Sequence, residues 1–245
     1  VMVYLSHEDL TREQSIIHEF RNGRVDGVLM SVVANDEKQN HLHELAAMEM
    51  PLVFFDRICE DVKTTCVVTN DFESGYNAAQ HLIDRGCKRI AFLSMFGELT
   101  IIKHRSEGFR KAILDNGLDA EGNPLIYCTN RESENLVLIR QLLKSENRPD
   151  GIVGSVEKVA TQTYTVCHSL NVSIPEEIKV IGFANLQIAS LLNPSLTTIT
   201  QPAFEMGKMA ATILFKALDK KKIEMNEERI VIPSVLIERA STRRS

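Results

Sequence analysis

Asp56-Arg57, Asn70-Asp71, Arg105 and Glu157-Lys158 are the residues of this chain whose types and placing could do chemistry. Each follows a short apolar run or opens the helical segment after one. An arginine fork can hold two oxygens at once, and an ionised aspartate can accept two hydroxyls. Such groups at the carboxyl ends of parallel strands point to a cleft that binds one small, oxygen-rich ligand. For any single residue the alternative is a helix cap or a surface ion pair, and it is the shared location that favours a site. One further strand end, in "KVIGFANLQ" (179–187), lacks the acid that a hydroxyl-rich ligand would meet there, and offers Ala184 instead.

Other chemistries find little support. No G-x-G-x-x-G, G-x-x-x-x-G-K-[ST] or H-E-x-x-H occurs, so no cofactor is expected. Ser155-Val156-Glu157-Lys158 fits S-x-x-K, but the S-D-N and K-T-G that accompany it in some hydrolases are missing. The stretch reads instead as a strand-to-helix junction whose serine caps the helix. His41 and His43, two apart in a helix, point to different faces and read as lone surface histidines rather than metal ligands. The 5 cysteines are odd in number and scattered, which fits buried reduced thiols in a cytoplasmic protein.

The elements that must carry these residues alternate. Strands are expected at 1–5, 25–30, 51–55, 66–69, 89–93, 125–127, 151–154 and 179–183, and helices at 11–21, 37–48, 74–85, 104–116, 133–145 and 157–170. In the helix from Ser74, Gly75, Ala79, Leu82 and Ile83 share one face, with Asp71 as cap and Gly86 as stop. After 183 the rhythm breaks through an irregular stretch (184–203), then one helix at 204–218 and an extended run from Ile230 to Ile237. Repeated β-then-α units imply parallel sheets with helices on both faces. The strands are too many for one sheet, so two doubly wound lobes are expected, the chain returning late to the first.

Bulk properties set limits. At 245 residues, with hydrophobic residues 44% and charged residues 25%, the chain is a globular α/β protein. Its longest apolar runs fall far short of a membrane span. The formal net charge of −5 argues against this piece alone gripping nucleic acid through phosphates.

Six stretches then appear in order: "VDGVLMS" (25–31), "PLVFFDR" (51–57), "NDFESGYNAAQHLIDRGCKRIAFLS" (70–94), "RSEGFRKAI" (105–113), "IPEEIKVIGFAN" (174–185) and "NPSLTTITQPAFEMGKMAA" (193–211). Together they resemble the effector-binding region of the lac-repressor-like (LacI/GalR) family of transcription regulators. The resemblance implies a periplasmic-binding-protein-like fold of type I, with two Rossmann-like lobes joined by crossover strands. It places 1–70 plus 201–227 in the N-terminal lobe and 71–200 plus 228–245 in the C-terminal lobe. A small molecule, commonly a sugar, would bind between them. It further implies a homodimer, with contacts from 186–195 and the helix around 160–170, and operator DNA bound through a helix-turn-helix outside this chain. The family's first strand and first helix are expected to be missing, residues 1–31 resembling its second βα unit and third strand.

By position, Asp56 matches the family's acidic sugar contact, and Asn70 a cleft residue at the first crossing between lobes. Arg105 matches the arginine of R-x-x-G-[FWY], while Val156 and Lys158 take places often polar in sugar binders, beside Glu157 at a usual Asp. Gln201 lies at the second crossing, and Ala184 stands where a ligand-binding aspartate is usual. Two effector classes stay open: an anionic one held by Arg105 and Lys158, or a bulkier neutral sugar for which Ala184 makes room. An exported sugar-binding protein of the same fold is the alternative reading, and an enzyme the least supported.

Overall fold

The computed structural model describes residues 1–20, 25–33, 40–48, 50–95, 100–185, 187–219 and 227–243. In chain order the elements are α1 (Leu10–Phe20), β1 (Val28–Met30), α2 (Asn40–Ala46), β2 (Leu52–Phe55), β3 (Thr65–Val68), α3 (Asp71–Asp84), β4 (Ile90–Met95) and α4 (Thr100–Asp115). They continue as β5 (Leu125–Cys128), α5 (Glu132–Lys144), β6 (Gly151–Gly154), α6 (Glu157–Leu170), β7 (Lys179–Phe183), β8 (Thr197–Thr200), α7 (Ala203–Asp219), β9 (Arg229–Val231) and β10 (Val235–Ile237). The chain divides into two units: Val1–Thr69 with Gly97–Ile101 and Pro202–Pro233, and Asn70–Phe96 with Ile102–Gln201 and Ser234–Ser245.

The first unit holds a parallel sheet in the order β1-β2-β3-β9. Its central strands β2 and β3 are buried on both faces because both faces are covered. Leu52, Phe54, Cys66 and Val68 pack with Ile17 of α1 and with Leu42 and Leu45 of α2. The intervening Val53 and Val67 turn to Met206, Ala210 and Leu214 of α7. The two-residue period of a strand thus sorts one run into two cores.

The second unit holds six strands in the order β10-β8-β7-β6-β4-β5, parallel except for β10, which runs antiparallel to β8. Ile90, Phe92, Val153 and Ile181 pack with α3 and α4 through Ala78, Ala79, Leu82, Phe109 and Ile113. On the other face Leu93 and Ile152 meet Ile139, Leu143, Val159 and Val166 of α5 and α6. This is the doubly wound arrangement the alternating pattern implied.

Three expectations need correction. Residues 1–5 form no strand and lie exposed, with only the Tyr4 ring set edge-on against Phe20. An apolar run makes a strand only when a neighbour takes its N–H and C=O groups, and among the described residues β1 pairs with β2 alone. The single run expected from Ile230 to Ile237 is two strands in different units, β9 on β3 and β10 on β8. Residues 228–233, read as part of the C-terminal lobe, therefore lie in the first unit. Asp71 does not cap α3: it is the first helical residue, after Asn70, and its carboxylate is used elsewhere.

Candidate functional site

In the second unit, α3 and α4 cross at a notch made by two glycines. A Cβ on Gly75 would stand 1.9 Å from the Arg105 carbonyl oxygen, and one on Gly108 would stand 1.9 Å from that of Phe72. Only glycine permits such an approach. It sets the first turn of α3 against α4, so that Arg105 Nε donates to Asp71 Oδ1 at 2.8 Å. Both side chains are buried, Asp71 at 5% and Arg105 at 3% exposure.

Arg105 then reaches the strand ends. Its Nη1 donates to the Ser155 carbonyl at 2.9 Å, directly after β6, and its guanidinium carbon lies 4.1 Å from the centroid of the Phe183 ring at the end of β7. A cation over an aromatic face is attracted to the ring's electron density, the more so away from water. These two hydrogen bonds leave Nη2 of the fork for another acceptor. The floor beneath is stitched by Ser155, whose N–H donates to the Leu93 carbonyl at 2.9 Å and whose hydroxyl accepts the Met95 N–H at 3.1 Å. Ser155 is thus not the helix cap. The N-cap of α6 is Val156, which makes no side-chain cap bond.

The structure gathers Arg105, Val156 and Ala184 at the carboxyl ends of β6 and β7. Ala184 is buried and tied by its backbone, its N–H to the Ile199 carbonyl at 3.1 Å and its C=O to the Thr200 hydroxyl at 3.1 Å. Glu157 opens α6, and burial raises the pKa of its carboxyl. Lys158 is exposed, and its Nζ donates to the Asn130 carbonyl beyond β5 at 2.9 Å. Asn70 Oδ1 accepts the Ser234 N–H at 2.8 Å and the Ser74 hydroxyl at 3.2 Å, joining the start of α3 to the approach to β10. Gln201 follows β8, half-buried. Asp56 belongs to the first unit, after β2, where it adopts a left-handed φ of 60° and its N–H donates to the Val67 carbonyl at 3.0 Å. Aspartate is among the few non-glycine residues that take this conformation readily.

Sequence reasoning missed Phe183 and misassigned Asp71. Phe183 was read as strand core, though a large aromatic as the last residue of a buried strand is also placed to face a ligand. The pairing of Asp71 with Arg105 was foreshadowed by Gly75 and Gly108, one turn beyond each partner. His41 also differs from the surface reading. Together with Leu42 and Leu45 it makes the buried face of α2, and its Nε2 lies 2.8 Å from Glu13, which also accepts the Val33 N–H at 2.7 Å.

Among the described residues no group of three or more His, Cys, Asp or Glu could hold a metal ion, and no helix is long and apolar enough to cross a membrane. All 5 cysteines are free and buried. The first unit also has a cavity of about 250 Å³, with Phe54, Val62 and Cys66 in its lining and a Glu60–Arg229 pair at 3.3 Å.

Comparison with known proteins agrees with this fold. The periplasmic binding protein-like domain matches residues 79–242. The HTH-type transcriptional repressor PurR of Photobacterium profundum is 29% identical over 233 residues, which are 93% of this chain and 69% of that protein. The ribose operon repressor of Halalkalibacterium halodurans is 25% identical over 99% of this chain and 70% of its own length. Among solved structures, a LacI family transcriptional regulator from Enterococcus faecium with bound ribose superposes with a TM-score of 0.83 at 25% identity, covering 95% of this chain and 84% of that one. The transcription regulator CcpA of Lactococcus lactis does so with a TM-score of 0.85 at 25% identity, covering 99% and 87%. The chain belongs to the periplasmic-binding-protein-like domain family, and within it to the effector-binding regions of LacI-type transcription regulators.

Proposed function

We propose that the chain senses a small molecule, a sugar or sugar derivative, at the carboxyl ends of β6 and β7, and thereby sets the operator affinity of a DNA-binding segment outside residues 1–245. The observation that carries this reading is Arg105, a buried fork held by two protein acceptors beside an aromatic ring, with Nη2 left for an incoming oxygen. A buried charge fixed in this way costs little further ordering when ligand arrives. The chain acts in the cytoplasm as a homodimer and catalyses no reaction. In support, the similar proteins reported above are regulators, one of them with ribose bound. The exported binding protein is the less supported alternative.

The test is a thermal-shift and calorimetric screen of neutral sugars, beginning with D-ribose. One saturable site per chain is expected, weakened at least tenfold by Arg105→Ala. That variant also loses about 3–5 kcal/mol of stability, because Asp71 is left buried without its cation. Unaltered affinity in a folded Arg105→Ala chain would refute this placing of the site.

A further inference from the structure

We infer that Asp71 determines the specificity of this sensor, occupying Arg105 as a built-in counter-ion so that the site takes an uncharged ligand. The inference deepens the effector reading proposed above and rests on it. Arg105 is the only cation that the structure places against the ends of β6 and β7 among the described residues named for the site. A lone buried guanidinium would favour an anion strongly, since a bidentate pair with a carboxylate or phosphate is the arrangement its fork fits best.

Here that arrangement is already partly taken. Nε bonds the Asp71 carboxylate at 2.8 Å, so the positive charge is met inside the protein before ligand arrives. Besides its cation, Asp71 has the first turn of α3, where the helix dipole favours negative charge. The pair is also hard to separate. The glycine notch at Gly75 and Gly108 fixes the two helices against each other, and Asp71 lies one turn before the first glycine.

Among the described residues named for the site, none adds a second positive charge at these strand ends. Lys158 is exposed and spent on the Asn130 carbonyl, Val156 is apolar, and Ala184 is buried beside Phe183. An anionic ligand would therefore bring one uncompensated charge to a desolvated place, which is strongly unfavourable. An uncharged ligand meets the N–H groups of Nη2, an aromatic ring and a small apolar residue. The anionic reading left open by the sequence, with Arg105 and Lys158 as its two cations, does not fit these contacts.

The experiment is calorimetry at low salt on matched probes, D-galactose with D-galacturonate, D-glucose with D-glucuronate, and D-ribose with D-ribose 5-phosphate. In any pair that binds, the neutral member is expected to bind at least tenfold more tightly. Asp71→Asn, which keeps the shape and removes the charge, is expected to shift that ratio at least tenfold toward the acid. The double variant D71N/R105Q, with both charges gone, should lose the gain for the acid, which separates a charge effect from misfolding. Tighter binding of the acid to the wild type would overturn the inference and leave the effector reading intact. So would an unchanged ratio in an Asp71→Asn chain that melts cooperatively. If no probe of either kind binds the wild type, the effector reading itself falls and the role of Asp71 with it.

Discussion

Asp71 and Arg105 lie 34 positions apart on different helices, yet share one hydrogen bond of 2.8 Å. Arg105 was legible in the sequence because a strand precedes its helix and an R-x-x-G-F pattern begins with it. Its partner was not, because an acid just ahead of a helix looks the same whether it caps that helix or crosses to another. Lys158 was misleading for a related reason: a lysine in a first helical turn is read from its type, while its direction is set by an acceptor such as the Asn130 carbonyl. The cysteines were read correctly as buried, and this has a consequence in alkali. Burial pushes Cys87 up to about 12, helped by the charge of Asp150, and pushes Cys128 and Cys167 up to about 11. The unfolded chain releases these protons near 9.0 while the folded chain keeps them, so their contribution to stability is full below about pH 9 and is lost as pH rises toward 11–12. Urea denaturation at pH 8 and pH 10 should show each such thiol costing about 1 kcal/mol at the higher pH. Cys87→Ala should show a loss smaller by about that much, and an equal loss in both chains would contradict the assignment.

At the scale of elements, the strands and helices were the most legible part, because the central strands of each sheet are buried on both faces and read as short apolar runs. What failed was the partner a segment finds. The run at 1–5 has the composition of a strand and no neighbour, and the run from Ile230 splits because Pro233 and Ser234 separate residues that pair with different sheets. Such pairings are long-range and leave no local mark. The α3–α4 notch makes a clear test of element packing. Gly75→Ala would drive a methyl to within 1.9 Å of the Arg105 carbonyl and should lower stability by about 3 kcal/mol. Gly207 lies in α7 with nothing within 4 Å of an added Cβ, so Gly207→Ala should raise stability by about 0.5–1 kcal/mol. Urea midpoints moving in the same direction for both variants would contradict the packing described.

At the scale of the molecule, the proposed homodimer draws on the segment 186–195. Leu191 is 79% exposed, an apolar side chain of the kind that interfaces bury, while Leu192 packs inward on the cluster with Ala160 and Leu196. The side chain of Ile188 lies outside the described residues. Light scattering should give about twice the single-chain mass of 27.6 kDa at micromolar concentration, and Leu191→Asp should shift it toward one chain. A wild-type mass of one chain would count against the dimer. The two-unit α/β architecture was legible because it follows from repeated local patterns, and the charge balance of the site was not, because it depends on one contact across two helices. The most direct measurement is therefore a crystal structure of the chain with the sugar that binds it most tightly. The account predicts ligand density at the carboxyl ends of β6 and β7, with an oxygen within hydrogen-bond distance of Arg105 Nη2 and the Asp71–Arg105 bond intact. Density elsewhere, for instance in the cavity beside Phe54 and Cys66, or an Arg105 that has left Asp71 for the ligand, would contradict it.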